Sequence, residues 1–392
     1  MLVLGIIFLV LGAIGTVYGI GQVSTPIEGT SNFLGISCIF FGVILLIMGI
    51  MLILSRKSER WRGRTKNVTN AKEFTLVVVQ IIILYIFWAI NPNYLSLNNI
   101  RNIFNSAFVV GTIAVGMSCL LISGKLDLSA GNTGMLAGVL VSLLLRDNLP
   151  WGAAVIIVLL FGAVTGLFNA ALVNGLNFTA FIATLAVSTI YGGLALVLTN
   201  AQTIPIGNQS FWRLASANVF GVFPLPFFIM IILLIAYGIL LSNTRFGRRV
   251  YMVGGNASAA RLAGINPKKV TTILYINNSV IACVVGILVA ARMHMGSPSA
   301  ISGSDLDAIT ASVLGGVAYT GGVGNMLGVT IGILVLTSFQ NGLVVVGLDS
   351  FYQIVAKGLL LIAALTLDFY REKARLKALK TGQAEEPPIT AE

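Results

Sequence analysis

The stretch at residues 107–146, AFVVGTIAVGMSCLLISGKLDLSAGNTGMLAGVLVSLLLR, decides the fold. Two apolar runs, at 107–123 and 130–146, flank a polar interruption that carries Lys125 and Asp127. Each run is continuous rather than alternating and longer than a ten-residue barrel strand, so helices in lipid are indicated and a β-barrel is not. Both runs fall short of the roughly 20 residues that cross a bilayer upright, which points to tilted, broken or re-entrant helices. A charge at that depth is expensive and is usually kept inside the bundle or beside water. Two compatible readings of Asp127 and Ser129 stand: they cap the following helix, or they also line a path for a polar solute.

The rest of the chain has the same character. Of 392 residues, 57% are hydrophobic and 9% charged, with a mean hydropathy of +0.95. A soluble chain carries about 25% charged residues, so a soluble enzyme, a nucleic-acid-binding domain and a disordered scaffold are all excluded. Glycine, at 43 residues, exceeds the roughly 7% usual in proteins, as close helix packing in lipid favours. Cys38, Cys119 and Cys283 lie in apolar runs without metal-binding spacing, and one histidine, His294, cannot build a histidine-rich metal site. No metal site is expected, and His294, in a predicted outer loop, is read as incidental.

Twelve spans are predicted. Two, at 1–20 and 33–54, form an N-terminal hairpin (1–55), and a basic cytoplasmic linker (56–73) follows. Ten more, at 74–90, 107–123, 130–146, 152–175, 178–199, 226–242, 271–292, 306–321, 325–345 and 354–368, make a core over 74–370, and 371–392 is a tail. Eighteen of the 24 Lys and Arg residues fall at 56–72, 245–269 and 371–380. Twelve spans place all three clusters on one side, cytoplasmic by the positive-inside rule, with both termini there. The net charge of +11 is therefore mostly a topology signal.

A faint internal echo pairs Leu126-Asp127 and Asn174-Gly175-Leu176 with Leu306-Asp307 and Asn341-Gly342-Leu343. The two copies would run in opposite directions, as inverted repeats in transporters do. At 244–269, Asn256 suits an N-cap, Gly264 a C′ stop, Ile265 the accompanying apolar contact, and Pro267 bars continuation. That short helix reads equally as a docking element and as a basic loop lying on lipid headgroups. The glycine-dense run at 314–325 fits no nucleotide-binding pattern and suggests a tight re-entrant turn. Lys357 either snorkels outward, the favoured reading, or pairs with an acid such as Asp349.

Read together, these motifs resemble the ribose-type sugar permease subunits of bacterial binding-protein-dependent ABC importers, in the branched-chain amino acid/ribose permease superfamily. The family's S-G-G-I-D-L-S-x-G appears as residues 123–131, its P-F-I-x-T-L as Ala180-Phe181-Ile182-Ala183-Thr184-Leu185, and its F-G-R as Phe246-Gly247-Arg248. Its G-G-N-x-x-A-A-R-x-x-G-I stands at 254–265, its L-D-A-I-A-A-x-x-L-G-G at 306–316, and its late N-G-L at 341–343. Lys125 replaces a usual Gly, Ala180 a Pro, and Ala257 a frequent Glu; the first two put the usual sugar specificity in doubt, and the third removes one polar contact of the docking loop. The first 70 residues fall outside the resemblance.

The resemblance implies an all-α polytopic membrane protein with a ten-helix permease core, a 5+5 inverted repeat and two extra N-terminal helices. It implies a multi-pass protein of the bacterial cytoplasmic membrane that performs no covalent chemistry. Partners would be a separate ABC ATPase subunit, an extracytoplasmic substrate-binding protein and a second permease subunit, either a copy or a paralogue. No cofactor would be bound by this chain, ATP being used by the partner subunit, and no nucleic acid is expected. Candidate path residues are Asp127, Ser129, Asn132, Asn174, Phe181, Thr184, Asp307 and Asn341. Candidate ATPase-coupling residues are Phe246, Gly247, Arg248, Asn256, Ala259, Ala260, Arg261 and Gly264. The alternatives are an ABC permease for nucleosides or branched-chain amino acids, and an ion-coupled secondary transporter, which would want more intramembrane carboxylates than Asp127. An intramembrane enzyme ranks last, since no H-E-x-x-H motif and no nucleophile–base pair is present.

Overall fold

The computed structural model describes residues 66–384 except 220–222, so the predicted hairpin at 1–55 lies outside the described residues. Thirteen α-helices are found among those described. The first five are α1 (Lys66–Ile90), α2 (Leu97–Ile122), α3 (Ala130–Arg146), α4 (Trp151–Ala170, prolonged by a π turn at Ala171–Gly175) and α5 (Ala180–Thr199). An amphipathic α6 (Gln209–Ser216) follows, then α7 (Leu225–Asn243) and the short α8 (Arg245–Gly255) and α9 (Ala257–Leu262). The chain closes with α10 (Pro267–Met293), α11 (Ser304–Leu314), α12 (Met326–Val345) and α13 (Ser350–Ala384). Among the described residues, seven helices are long and apolar enough to cross a membrane, and the shorter apolar Leu76–Ile90 and Ala130–Arg146 accompany them. The protein is a polytopic helical membrane protein.

Local signals set the helix ends. Asn91 accepts from the Asn93 N–H and opens a 3-10 turn at Pro92–Leu95, and Ser96 then caps α2 through the Asn99 N–H. Asn266, ahead of Pro267 at the first position, starts α10 in the same way, and Asn325 starts α12. Several elements differ from the sequence expectation: α2 begins at Leu97 rather than 107, and α13 runs to Ala384 rather than ending at 368. Helix α1 begins at Lys66, inside the stretch read as linker. The span expected at 306–321 is only the eleven-residue α11, because the chain turns at Gly316, Gly321 and Gly322, all with positive φ.

Packing is exchanged between the two sets of spans. Helix α2 lies against α11 and α12, whereas α10 lies against α3 and α4, and α2 and α10 meet each other at the centre. Helix α5 flanks α3, and α13 flanks α11. The α3–α10 contact is backbone-close: a Cβ on Gly286 would overlap the Gly134 carbonyl oxygen. In lipid, where apolar burial drives little association, such small-residue contact maximises van der Waals packing. Helices α1, α4, α5 and α13 expose rows of large apolar side chains, such as Ile156, Leu160, Val197 and Leu359, the surface a bilayer would cover.

The ends of the bundle are built differently. At one, strand β1 (Ile204–Pro205) pairs antiparallel with β4 (Met295–Gly296), Ile204 opposite Gly296, while β2 (Asn218–Val219) and β3 (Phe223–Pro224) form a small hairpin. His294 stacks on Trp212 there, with ring centroids 4.2 Å apart, and so helps seat α6. The other end carries α8 and α9 with their basic residues.

The internal echo is not a residue-for-residue correspondence. Asp127 stands before α3 begins, whereas Asp307 lies within the first turn of α11. The glycine-dense run after Asp307 is a turn rather than a helix.

Candidate functional site

Helices α3 and α11 start against each other. The first turn of α3 touches the first turn of α11: a Cβ on Gly131 would sit 2.9 Å from an Asp305 carboxylate oxygen and 3.3 Å from its amide nitrogen. The positive ends of two helix dipoles are therefore neighbours, and the acidic side chains Asp127, Asp305 and Asp307 stand at or just before these two helix starts.

Asp127 is fully buried and its oxygens are occupied. Its Oδ1 accepts from the Ser129 amide at 2.9 Å, the Ser129 hydroxyl at 2.6 Å and Asn169 Nδ2 at 3.3 Å. Its Oδ2 accepts from Asn278 Nδ2 at 3.0 Å. Nearby, the Leu128 amide donates to Thr184 Oγ1 at 3.0 Å and the Tyr275 hydroxyl to the Leu126 carbonyl at 3.1 Å. The break at 123–129 is thus stitched to α4 by Asn169, to α5 by Thr184 and to α10 by Asn278 and Tyr275. Neither Asp127 nor Ser129 caps α3 through its side chain. All of Asp127's donors are neutral.

Asp307 has different company. Lys357 Nζ approaches its Oδ2 at 3.1 Å and Gln340 Nε2 donates to its Oδ1 at 2.9 Å, joining α11, α12 and α13. The side chains of Lys357 and Asp307 are 40% and 15% exposed. Lys357 therefore neither reaches outward on its own nor pairs with Asp349, which instead accepts from the Phe351 amide. The aliphatic stem bends toward the carboxylate because α13 turns that face to α11.

The other candidate path residues are dispersed. Asn132 donates to the Ser188 carbonyl and hydroxyl, both at 2.9 Å, tying α3 to α5. Asn174 bonds Thr271, Thr272 and the Lys268 carbonyl, fastening the end of α4 to the start of α10. Asn341 accepts from Asn99 at 2.7 Å, bracing α12 against the start of α2. Phe181 points away from the interior of α5 and is exposed. Asp127, Ser129 and Thr184 are brought together, and Asp307 lies across the α3–α11 junction from them. Asn169, Asn278 and Gln340 were missed; an amide inside an apolar run was the available signal.

At the basic end the coupling candidates form one surface. Thr244 caps α8 by accepting from the Gly247 amide at 3.1 Å, and Gly247 fits against the backbone of Leu240 and Leu241. Phe246 packs partly into the core, while Arg248 is exposed. Asn256 accepts from the Ser258 and Ala259 amides, both at 3.0 Å, and Gly264 closes α9 with φ +77°. Ala260 faces inward; Ala259, Arg261 and Leu262 face out, Leu262 being 92% exposed. A backbone knot lies behind them. The Gly322 amide donates to the Ile122 carbonyl at 2.8 Å, and Gly254 sits so close to both that any Cβ there would overlap them. Tyr251 adds a 2.7 Å bond to the Gly324 carbonyl.

Among the described residues, no group of three or more His, Cys, Asp or Glu side chains could hold a metal ion. No solved structure matches the chain significantly. Curated relatives do. The probable ABC transporter permease protein YphD of Escherichia coli (strain K12) is 36% identical over 310 residues, 79% of this chain and 93% of the relative. The ribose import permease protein RbsC of the same strain is 33% identical over 320 residues, 78% and 98% of the two chains. The L-arabinose transport system permease protein AraH is 35% identical over 300 residues, 76% and 91%. Residues 99–365 match the family described as branched-chain amino acid transport system / permease component, so the membrane bundle with its paired half-buried helix starts and its capped basic-end helix belongs to that permease family.

Proposed function

We propose that this chain is the membrane-spanning subunit of an ABC importer that carries a monosaccharide inward, driven by a separate ATPase subunit. Two copies, or one copy and a paralogue, would form the path, and an extracytoplasmic binding protein would deliver the solute to the end bearing α6 and the β1–β4 pair. The ribose and arabinose named for its relatives support a sugar over an amino acid or a nucleoside. The basic residues of 245–269 favour placing α8 and α9 on the cytoplasmic side.

The observation that carries the reading is α9. It projects from the bundle with one residue, Ala260, buried, and it presents Leu262 to the outside. An exposed leucine beside Arg261 on a rigidly capped helix suits a protein socket, with an apolar anchor and a charged rim. Through the knot at Gly254, a push on α8 and α9 reaches both the Ile122 end of α2, just before the break leading into α3, and the turn that follows α11. One docking event would therefore move the two helices whose starts meet in mid-protein. ATP binding would close the partner subunits on α9, and the linked displacement would switch which side the path opens to.

Gly264→Pro tests this, since proline cannot adopt φ +77°. ATP-dependent uptake should be lost while the protein still inserts and purifies with normal yield. Normal uptake by that variant would contradict the coupling role. Competition of uptake by ribose, arabinose, a nucleoside and leucine would assign the solute class.

A further inference from the structure

The cluster Asp307–Gln340–Lys357 sits where a lipid-facing surface has no use for charge. Lys357 is seven residues beyond Ser350, or about 10 Å along α13, and Gln340 is five residues before the end of α12, about 8 Å. Against a hydrocarbon core of about 30 Å, both lie well inside the bilayer depth. The neighbours on these helices are apolar and open: Val344, Ile354, Val355 and Leu359 are each more than half exposed. An ion pair in that row, its lysine side chain 40% exposed, would meet acyl chains if lipid covered it, and lipid solvates charge poorly.

The adjoining backbone points the same way. Ser302 and Gly303, just before α11, are exposed and non-helical, and the side chain of Leu306 beside them is open as well. Non-helical backbone at membrane depth is stable inside protein or beside a water-filled cavity, not against lipid. Because the first turn of α11 meets the first turn of α3, this opening lies at mid-protein rather than at either end.

We infer that Asp307, Gln340 and Lys357 form a water-facing contact point on the translocation path for an uncharged, hydroxyl-rich solute. Carboxylate and amide oxygens accept from hydroxyls, while the ammonium and amide N–H groups donate to them. The pair is neutral as a unit, so it favours neither anions nor cations. The solute class rests on the permease reading above; the water exposure does not.

The test uses the full chain in nanodiscs, where a reagent reaches both membrane faces. Lys357→Cys and Leu359→Cys are each treated with an anionic methanethiosulfonate, with the unaltered chain as background for its own cysteines. Asp307→Asn combined with Lys357→Cys is prepared as well, so that an unpaired carboxylate does not spoil folding. Position 357 should react at least tenfold faster than position 359, and ribose or arabinose, but not leucine, should slow it. Equal slow rates at 357 and 359 would overturn the water-facing assignment. So would a 357–357 disulfide between two copies without labelling, which would put the pair in a closed interface. Fast labelling that neither sugar slows would overturn the solute contact. Failure of the permease reading would show separately, as absence of ATP-dependent uptake by the unaltered chain.

Discussion

Asp127 stands just before α3 and Asp307 in the first turn of α11, and the protein treats them in opposite ways. Asp127 is sealed: it has no exposed surface and neutral donors alone hold it, drawn from the break, α4 and α10. Asp307 is open on one side and paired with a lysine. A sealed carboxylate whose bonding sites are filled acts as a fastener, locking three segments into one geometry. An open charged pair keeps bonding capacity for something that comes and goes. Of the two acids, Asp307 with its partners is the better placed to meet a solute, and Asp127 the better placed to hold the break at 123–129 in shape.

The largest expected effect comes from breaking the sealed side. Asp127→Ala strands the Asn278 amide and the Ser129 donors, while Asn169 keeps its bond to the Ser129 hydroxyl, and each unsatisfied buried donor costs about 1–3 kcal/mol. Thermal unfolding in detergent should show a loss of several kcal/mol, with reduced yield of folded protein. A variant as stable as the parent would remove the distinction between the two acids. An intermediate effect is expected on the open side. Lys357→Met should lower stability by about 1–2 kcal/mol, the exposure of the pair discounting the value of a buried one. It should reduce uptake far more than stability, and Asp307→Asn added to it should recover part of the stability, with a coupling of about 1 kcal/mol in a double-mutant cycle. Uptake and stability falling in parallel would make the open pair another fastener. The smallest effect is Ser129→Ala, which removes the hydroxyl's 2.6 Å bond to Asp127 and the 2.7 Å bond it accepts from Asn169. Since Asn169 keeps Asp127 as an acceptor, the cost should be about 1 kcal/mol by the same unfolding assay.

Much of the fold was legible because the relevant signals are local. Continuous apolar runs mark α3, α4, α7 and α12 nearly to the residue, and the Asn256 and Gly264 signals bound α9 correctly, whereas α10 starts at Pro267, four residues ahead of the expected 271. The length of α11 was not legible. Apolarity continues through Val317, Ala318 and Tyr319, while the backbone reverses at glycines whose positive φ no hydropathy pattern reports. The environments of the two acids were also hidden, for a different reason. Asn169 is 42 positions from Asp127 and Asn278 is 151, and Lys357 is 50 from Asp307. Which polar residue on which helix turns toward a given carboxylate depends on helix rotation and packing, and a sequence read one segment at a time carries neither.

The direct test of the account is solute uptake into proteoliposomes holding this chain with its ATPase subunit, supplied with its binding protein. Uptake should require ATP, should persist when an ionophore collapses proton and sodium gradients, and should vanish with Gly264→Pro. Uptake that proceeds without the ATPase and collapses with the ionophore would contradict it.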